Sequence, residues 1–119
     1  MIRYATEPGS PVVEITLEGR LTDTDLRGAI ERLQADVEQN GKTRVLERIE
    51  HFSGMEPAAL WTDLKLGMPL AQKITRAAVV ADAAWIRRLT DIGGHLMQAE
   101  VKSFRPDELD VTRTWINAD

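Results

Sequence analysis

The residues that could do chemistry in this chain are few and scattered. Ser53 stands three positions before Glu56, the spacing of a capping box, where a hydroxyl and a carboxylate satisfy the first free amides of a helix. A phosphate on Ser53 would gain from the same helix N-terminus, so Ser53 is the expected cap and also a candidate phosphorylation site. Glu50 and His51 could be an orienting carboxylate and a general base. No serine on a nucleophile elbow and no glycine-rich oxyanion turn accompanies them, so His51 reads as a loop residue. His95 follows Gly93-Gly94 past a helix, where an imidazolium suits the negative end of the dipole. That glycine pair lacks the further glycines, and the position between strand and helix, of a nucleotide fingerprint. Asp63, Asp82 and Asp91 show no metal-ligand spacing. The absence of cysteine removes thiolate nucleophiles, disulfides and thiolate metal sites, and with two histidines a zinc site would rest mainly on carboxylates. No catalytic residue, metal ligand or cofactor is therefore expected, and a small hydrolase ranks last among the readings.

Side chains suited to binding are easier to name. On a helical wheel Leu60, Trp61, Leu64 and Met68 share one side, while Ala59, Leu66 and Leu70 lie nearly opposite if the helix passes Pro69. A surface helix normally shows one apolar stripe, so this one calls for two apolar contacts. Neighbouring core or a dimer partner would supply them. A mobile lid over an apolar ligand, or facing a membrane, would do so as well, with Thr62, Asp63 and Lys65 on its wet flanks. Trp61, Trp85 and Trp115 each fall at helical spacing with Leu or Ile, which favours core packing, although Trp61 and Trp85 could line a pocket. Phe52, Ser53, Met55, Leu60, Trp61, Leu64, Met68 and Trp85 are the candidate ligand or partner contacts.

Composition bounds what these residues can serve. A chain of 119 residues fits one compact domain, expected to span 1–119, and its 43% hydrophobic and 29% charged residues argue against disorder. A net charge of −4 disfavours nucleic acid, whose phosphates call for a basic face. The longest apolar run, Ala77 to Ala81, is far too short to cross a bilayer, and Met1 to Glu7 lacks the plan of a signal peptide. A cytoplasmic location is expected.

The elements that must position these side chains follow from periodicity. Ile2, Tyr4 and Thr6 alternate up to the Pro8-Gly9-Ser10-Pro11 turn, and Val13, Ile15 and Leu17 alternate after it, predicting an antiparallel hairpin that ends at Gly19-Arg20-Leu21. Leu26, Ile30, Leu33 and Val37 form one helical stripe, with Thr22 as cap, Asp23 and Asp25 in the first turn and Asn40-Gly41 as the stop. Thr43 to Glu50 returns to strand, with unusual charge, and His51 to Gly54 is expected as a loop. A second helix is predicted from about Glu56 to Leu66, ended by Gly67 and Pro69. The continuous apolar run from Arg76 to Ala81 suits a buried parallel strand. Asp82 is expected to cap a third helix with Ile86, Leu89 and Gly93 on one face. Ala99 to Phe104 is a last strand, and Pro106 opens a fourth helix carrying Leu109, Thr112 and Trp115. The order β-β-α-β-α-β-α-β-α predicts an α/β fold with a mixed, mostly parallel sheet, an N-terminal hairpin and four helices.

Several local strings, with this order, resemble the SpoIIAA-like family, a branch of the STAS-type fold. They are Gly19-Arg20-Leu21-Thr22-Asp23, Gly41-Lys42-Thr43-Arg44, Phe52-Ser53-Gly54-Met55, and Leu60 to Gly67 with its Trp61-x-Asp63-x-Lys65-x-Gly67 core. Ala78-Val79-Val80-Ala81-Asp82 with Trp85, Val101-Lys102-Ser103-Phe104 and Trp115-Ile116 complete the set. The resemblance implies a small non-enzymatic domain of regulatory or protein-interaction type. Better-known STAS domains carry a phosphorylatable serine in an Asp-Ser-Ser-Gly-like loop, of which His51-Phe52-Ser53-Gly54 keeps only Ser-Gly. The fold is also similar to that of lipid-carrying CRAL-TRIO domains. The first expectation is thus an interaction or regulatory module, a homodimer that uses the His51 to Gly54 loop and the second helix. The alternative is a carrier or sensor of an apolar, lipid-like ligand with peripheral membrane contact through that helix.

Overall fold

The computed structural model describes residues 1–119, the side chain of Leu64 excepted. Strands β1 (Ile2–Thr6) and β2 (Val12–Leu21) pair antiparallel across the proline-bounded turn, with Tyr4 opposite Ile15. Strands β3 (Thr43–Met55), β4 (Ile74–Ala81) and β5 (Glu100–Phe104) join in parallel, giving a five-stranded mixed sheet in the order β1-β2-β3-β4-β5. Helices α1 (Asp23–Asn40), α2 (Pro57–Thr62), α3 (Met68–Ala71) and α4 (Ala84–Gly94) connect the strands, and α5 (Leu109–Asn117) follows β5. A π-helical turn over Asp63–Gly67 joins α2 to α3, so Pro57 to Ala71 is one continuous helical segment. Counted that way, and with the 3-10 turn Pro106–Glu108 taken as the start of α5, the helices among the described residues number four, and the expected α/β order holds.

Alternation assigns the two faces of the sheet. Val13, Ile15, Leu17 and Val45 point to one side, where Leu33 of α1 packs against them. Leu26, Ile30 and Val37 of α1 meet Ala59 of α2 and Leu70 of α3 on that side. Ile86 anchors α4 through Val79 and Ala81. Leu46, Ala78, Val80 and Phe104 point the other way and bury Ile116 of α5. The charge noted in β3 is largely paired. Arg44 donates to the carbonyls of Ile116 and Ala118 at the end of α5, and Arg48 lies 2.9 Å from Glu50.

Several boundaries differ from the sequence expectations; β4 starts at Ile74 rather than Arg76, and a 3-10 turn over Pro106–Glu108 precedes α5. Residues His51 to Met55 continue β3, with Gly54 and Met55 registered on Arg20 and Leu21 of β2, which itself runs on to Leu21. The pairing passes irregularities where Gly19 of β2 (φ 70°) and His51 (φ 52°) and Gly54 (φ 136°) of β3 take positive φ. Ser53 is consequently held in extended chain, and the α2 N-cap is Glu56, with no capping side chain. The Glu56 carboxylate instead accepts from the Asp23 amide at 2.8 Å, satisfying the start of α1. Asp82 does not cap α4 either. Its carboxylate accepts from the His51 amide at 3.0 Å, and Ala83 takes the N-cap position. Finally, the second helix does not stop at Leu66. Pro69 lacks an N–H and its ring would meet the carbonyl four residues earlier, and the wider π turn before it lets the chain stay helical.

Candidate functional site

Between the α1 face of the sheet and the α2–α3 segment lies a cavity of about 200 Å³. Its walls are Ile15, Leu17, Val45 and Ala77 from the sheet, Leu26, Ala29, Ile30 and Leu33 from α1, and Leu70 and Ala71 from α3, with Met97 at one side. Two carboxylates interrupt this apolar lining, Glu47 and Asp63. Strand alternation puts Glu47 there, because it follows Val45 and precedes Ile49 on the inward side of β3. It is paired in register with Ile15 and Val79, so its nearest strand neighbours offer no charge. Burial pushes its carboxyl up to about 7, and the nearby Asp63 adds to the shift. The side chain is half-buried, its remaining surface open to the cavity rather than to a partner.

Asp63 reaches the rim of the same cavity from the π turn, and partial burial raises its pKa as well. Gly67 explains part of the local sequence. A Cβ there would stand 3.0 Å from Asp63 Oδ1, so the missing side chain leaves room for the carboxylate. Lys65 does not neutralise it, since its ammonium lies over the Trp61 ring, 5.5 Å from the centroid. Among the described residues neither Glu47 nor Asp63 has an ion-pair or hydrogen-bond partner for its side chain, and the cavity lining contains no Lys, Arg or His.

The segment roofing the cavity is tied down at α2. Thr62 is 2% exposed and its hydroxyl donates to the Asp23 carboxylate, which Arg27 Nε also contacts at 2.8 Å. The Thr62 bond first and the Arg27 bond second hold the Asp23 pKa below the usual carboxylate range. Beyond Ala71 and Met97 the cavity abuts a second depression lined by Met68, Ala71, Gln72, Leu96, Met97 and Gln98. A larger cleft of about 510 Å³ lies at the hairpin turn, but the Asp36 in its lining already accepts from the Tyr4 hydroxyl.

Among the described residues none of the binding candidates named from sequence lines the carboxylate cavity, although Met68 borders the depression beside it. Leu60, Trp61 and Met68 face solvent, Trp61 at 64% exposure, while the opposite side of the segment, Ala59, Leu66 and Leu70, packs on α1. The side chain of Leu64 lies outside the described residues. Phe52 is half-buried and meets the exposed Trp85 edge-on at 5.9 Å, and Met55 packs between the sheet and α1. Ser53 and His51 are exposed on the last turns of β3. The expected core role of the tryptophans holds partly for Trp115, which packs beside Phe104, and not for Trp61 or Trp85. Leu89 and Ile92 of α4 are also exposed, so Ile86 alone carries the buried face of that helix. Glu47 and Asp63 were missed as a pair. The available signal was a carboxylate standing between Val45 and Ile49 on the inward side of β3.

The architecture, a mixed five-stranded sheet with α1 and α4 on one face and α5 on the other, is an α/β fold of the STAS type. The SpoIIAA-like family model matches residues 12–117, and the chain belongs to that family. An uncharacterised protein with a SpoIIAA-like fold from Shewanella loihica is similar in structure, with a TM-score of 0.77 and 22% identity over 98% of this chain and 92% of that one. The anti-sigma factor antagonist SpoIIAA in its unphosphorylated form is similar at a TM-score of 0.65 and 15% identity, covering 97% of this chain and 98% of that one. Among curated proteins none matches significantly. Among the described residues no helix is long and apolar enough to cross a membrane, and no group of three or more His, Cys, Asp or Glu could hold a metal.

Proposed function

We propose that this chain, folded as one domain, is a cytoplasmic, non-catalytic interaction module that meets a protein partner, foremost a second copy of itself, through the outer side of α2–α3. The observation carrying this reading is the exposure of Leu60, Trp61 and Met68 together on one side of that segment. Large apolar side chains grouped on a surface mark contact sites, and tryptophan is the residue most often found at the centre of one. The name of the structurally similar anti-sigma factor antagonist is that of a protein acting on another protein, which agrees with an interaction role. Ser53 lies exposed next to Phe52, which meets Trp85 edge-on, so a phosphate there would add charge beside apolar side chains. Sedimentation velocity across a concentration series tests the reading. A dimer that Trp61→Glu dissociates is expected, and a wild-type protein that stays monomeric throughout overturns the self-association.

A second reading, a carrier or sensor of an apolar ligand that touches membranes peripherally, is favoured by the cavity beneath the same segment. In that reading α2–α3 is the roof, and its inner side closes on the ligand.

A further inference from the structure

An apolar cavity has no structural need of a carboxylate, and this one is lined by two. Removing a charged group from water costs free energy unless a partner compensates it; half-buried Glu47 has no such partner among the described residues, and Asp63, exposed at the rim, has none either. Salt bridges are available elsewhere in β3, where Arg48 reaches Glu50 at 2.9 Å, so the sequence can neutralise carboxylates in this strand. At Glu47 the strand neighbours are Ile15 and Val79 instead. Gly67 keeps the space in front of Asp63 open, and Lys65, the nearest cation in sequence, is turned onto Trp61. The chemical complement of this lining is a cationic donor with an apolar body.

Resting on the carrier reading, we propose that the cavity binds a small amphiphile whose primary ammonium group lodges between Glu47 and Asp63 while its hydrocarbon part lies against Ile15, Val45, Ile30 and Leu70. An ammonium carries three donors and so can serve both carboxylates at once. Hydrogen bonds between charged partners are about twice as strong as neutral ones, and the apolar walls beside half-buried Glu47 lower the local dielectric in which such a bond would form. The volume of about 200 Å³ equals that of roughly seven waters of liquid, room for a chain of about six carbons with its head group. A longer tail has an exit, because Ala71 and Met97 also border the neighbouring depression with Met68 and Leu96.

Calorimetric titration of the full chain at pH 7 with n-hexylamine, 1-hexanol and hexanoate tests this. The amine is cationic there, the alcohol neutral and the acid anionic, with closely similar hydrocarbon. Hexylamine is expected to bind at least tenfold more tightly than hexanol, and hexanoate more weakly than either. Glu47→Gln, which keeps shape and removes charge, should weaken the amine at least tenfold and change hexanol by less than threefold. Asp63→Asn, at the rim, provides the same comparison should Glu47→Gln fail to fold. Ala71→Phe, which fills the cavity, should abolish both. Hexanol binding as tightly as hexylamine overturns the ammonium assignment and leaves the carrier reading standing. Amine binding indifferent to both charge removals, or surviving Ala71→Phe, also overturns it. Binding of none of the three overturns the assignment and the carrier reading together.

Discussion

Glu47 is the residue at which sequence, packing and function pull against one another. Folding moves its carboxyl from water into an apolar niche, and its pKa rises from 4.5 to about 7. The folded state therefore binds more protons than the unfolded one between about pH 4.5 and 7, and stability falls as pH rises through that window. Below it both states are protonated and nothing is lost. Replacing the group with a neutral isostere removes the slope. Glu47→Gln should stabilise the protein at pH 8 by about 2 kcal/mol, allowing for screening through the open cavity, and by much less at pH 4.5. Urea denaturation at the two pH values checks it, and equal effects at both would show the carboxylate to be solvated. Residue-level legibility was uneven for the same physical reason. Thr22, Gly41 and the two aspartates opening α1 act locally, so their types announce their roles. Glu47 acts through what α1 and α3 bring over it, and a strand in isolation shows only an unexpected charge.

At the scale of elements, interruptions explain more than regular runs. The hydrophobic alternation of β3 fades at His51-Phe52-Ser53-Gly54, a string whose composition says loop, yet pairing with β2 carries the strand through it. Tertiary hydrogen bonding overrides local preference there. Likewise Pro69 argues for a helix end, and the π turn before it removes the conflict, a solution no periodicity announces. The α2 anchor is testable by itself. Thr62→Val keeps volume and deletes the hydroxyl bond that stabilises ionised Asp23, so the Asp23 pKa should move up toward the ordinary carboxylate value. Carbon-detected NMR titration reads that shift, and amide exchange in α2 should quicken as its tie to α1 is lost. Helix α4 offers a contrasting case. A Cβ on Gly94 would stand 2.9 Å from Cβ of Val101, so the glycine permits close approach of helix and strand. Alanine usually strengthens a helix, but here overpacking wins, and Gly94→Ala should cost about 1–3 kcal/mol in chemical denaturation. A neutral result would mean that the end of α4 frays away from β5.

Over the whole molecule, apolar surface is distributed unevenly. Leu60, Trp61 and Met68 lie on the outside of α2–α3, and Trp85, Leu89, Ile92 and Leu96 on or just after α4. Met68 and Leu96 border one depression, so the two groups approach each other there. Either could be the centre of an interface between copies, and their own contacts distinguish them. Trp85 already spends an edge on Phe52, whereas the partner recorded for the Trp61 ring among the described residues is the Lys65 ammonium. Covering Trp61 would therefore bury more new apolar surface per residue, and a two-fold contact would place it opposite an equivalent copy of the same patch. Trp61→Glu should raise the dimer dissociation constant at least 100-fold, and Leu89→Glu less than threefold, in sedimentation equilibrium. Both positions are exposed and away from the core, so each variant should keep its unfolding free energy within about 0.5 kcal/mol, which separates loss of contact from loss of fold. The reverse ranking would assign the interface to α4 and leave α2–α3 free to move as the roof of the cavity.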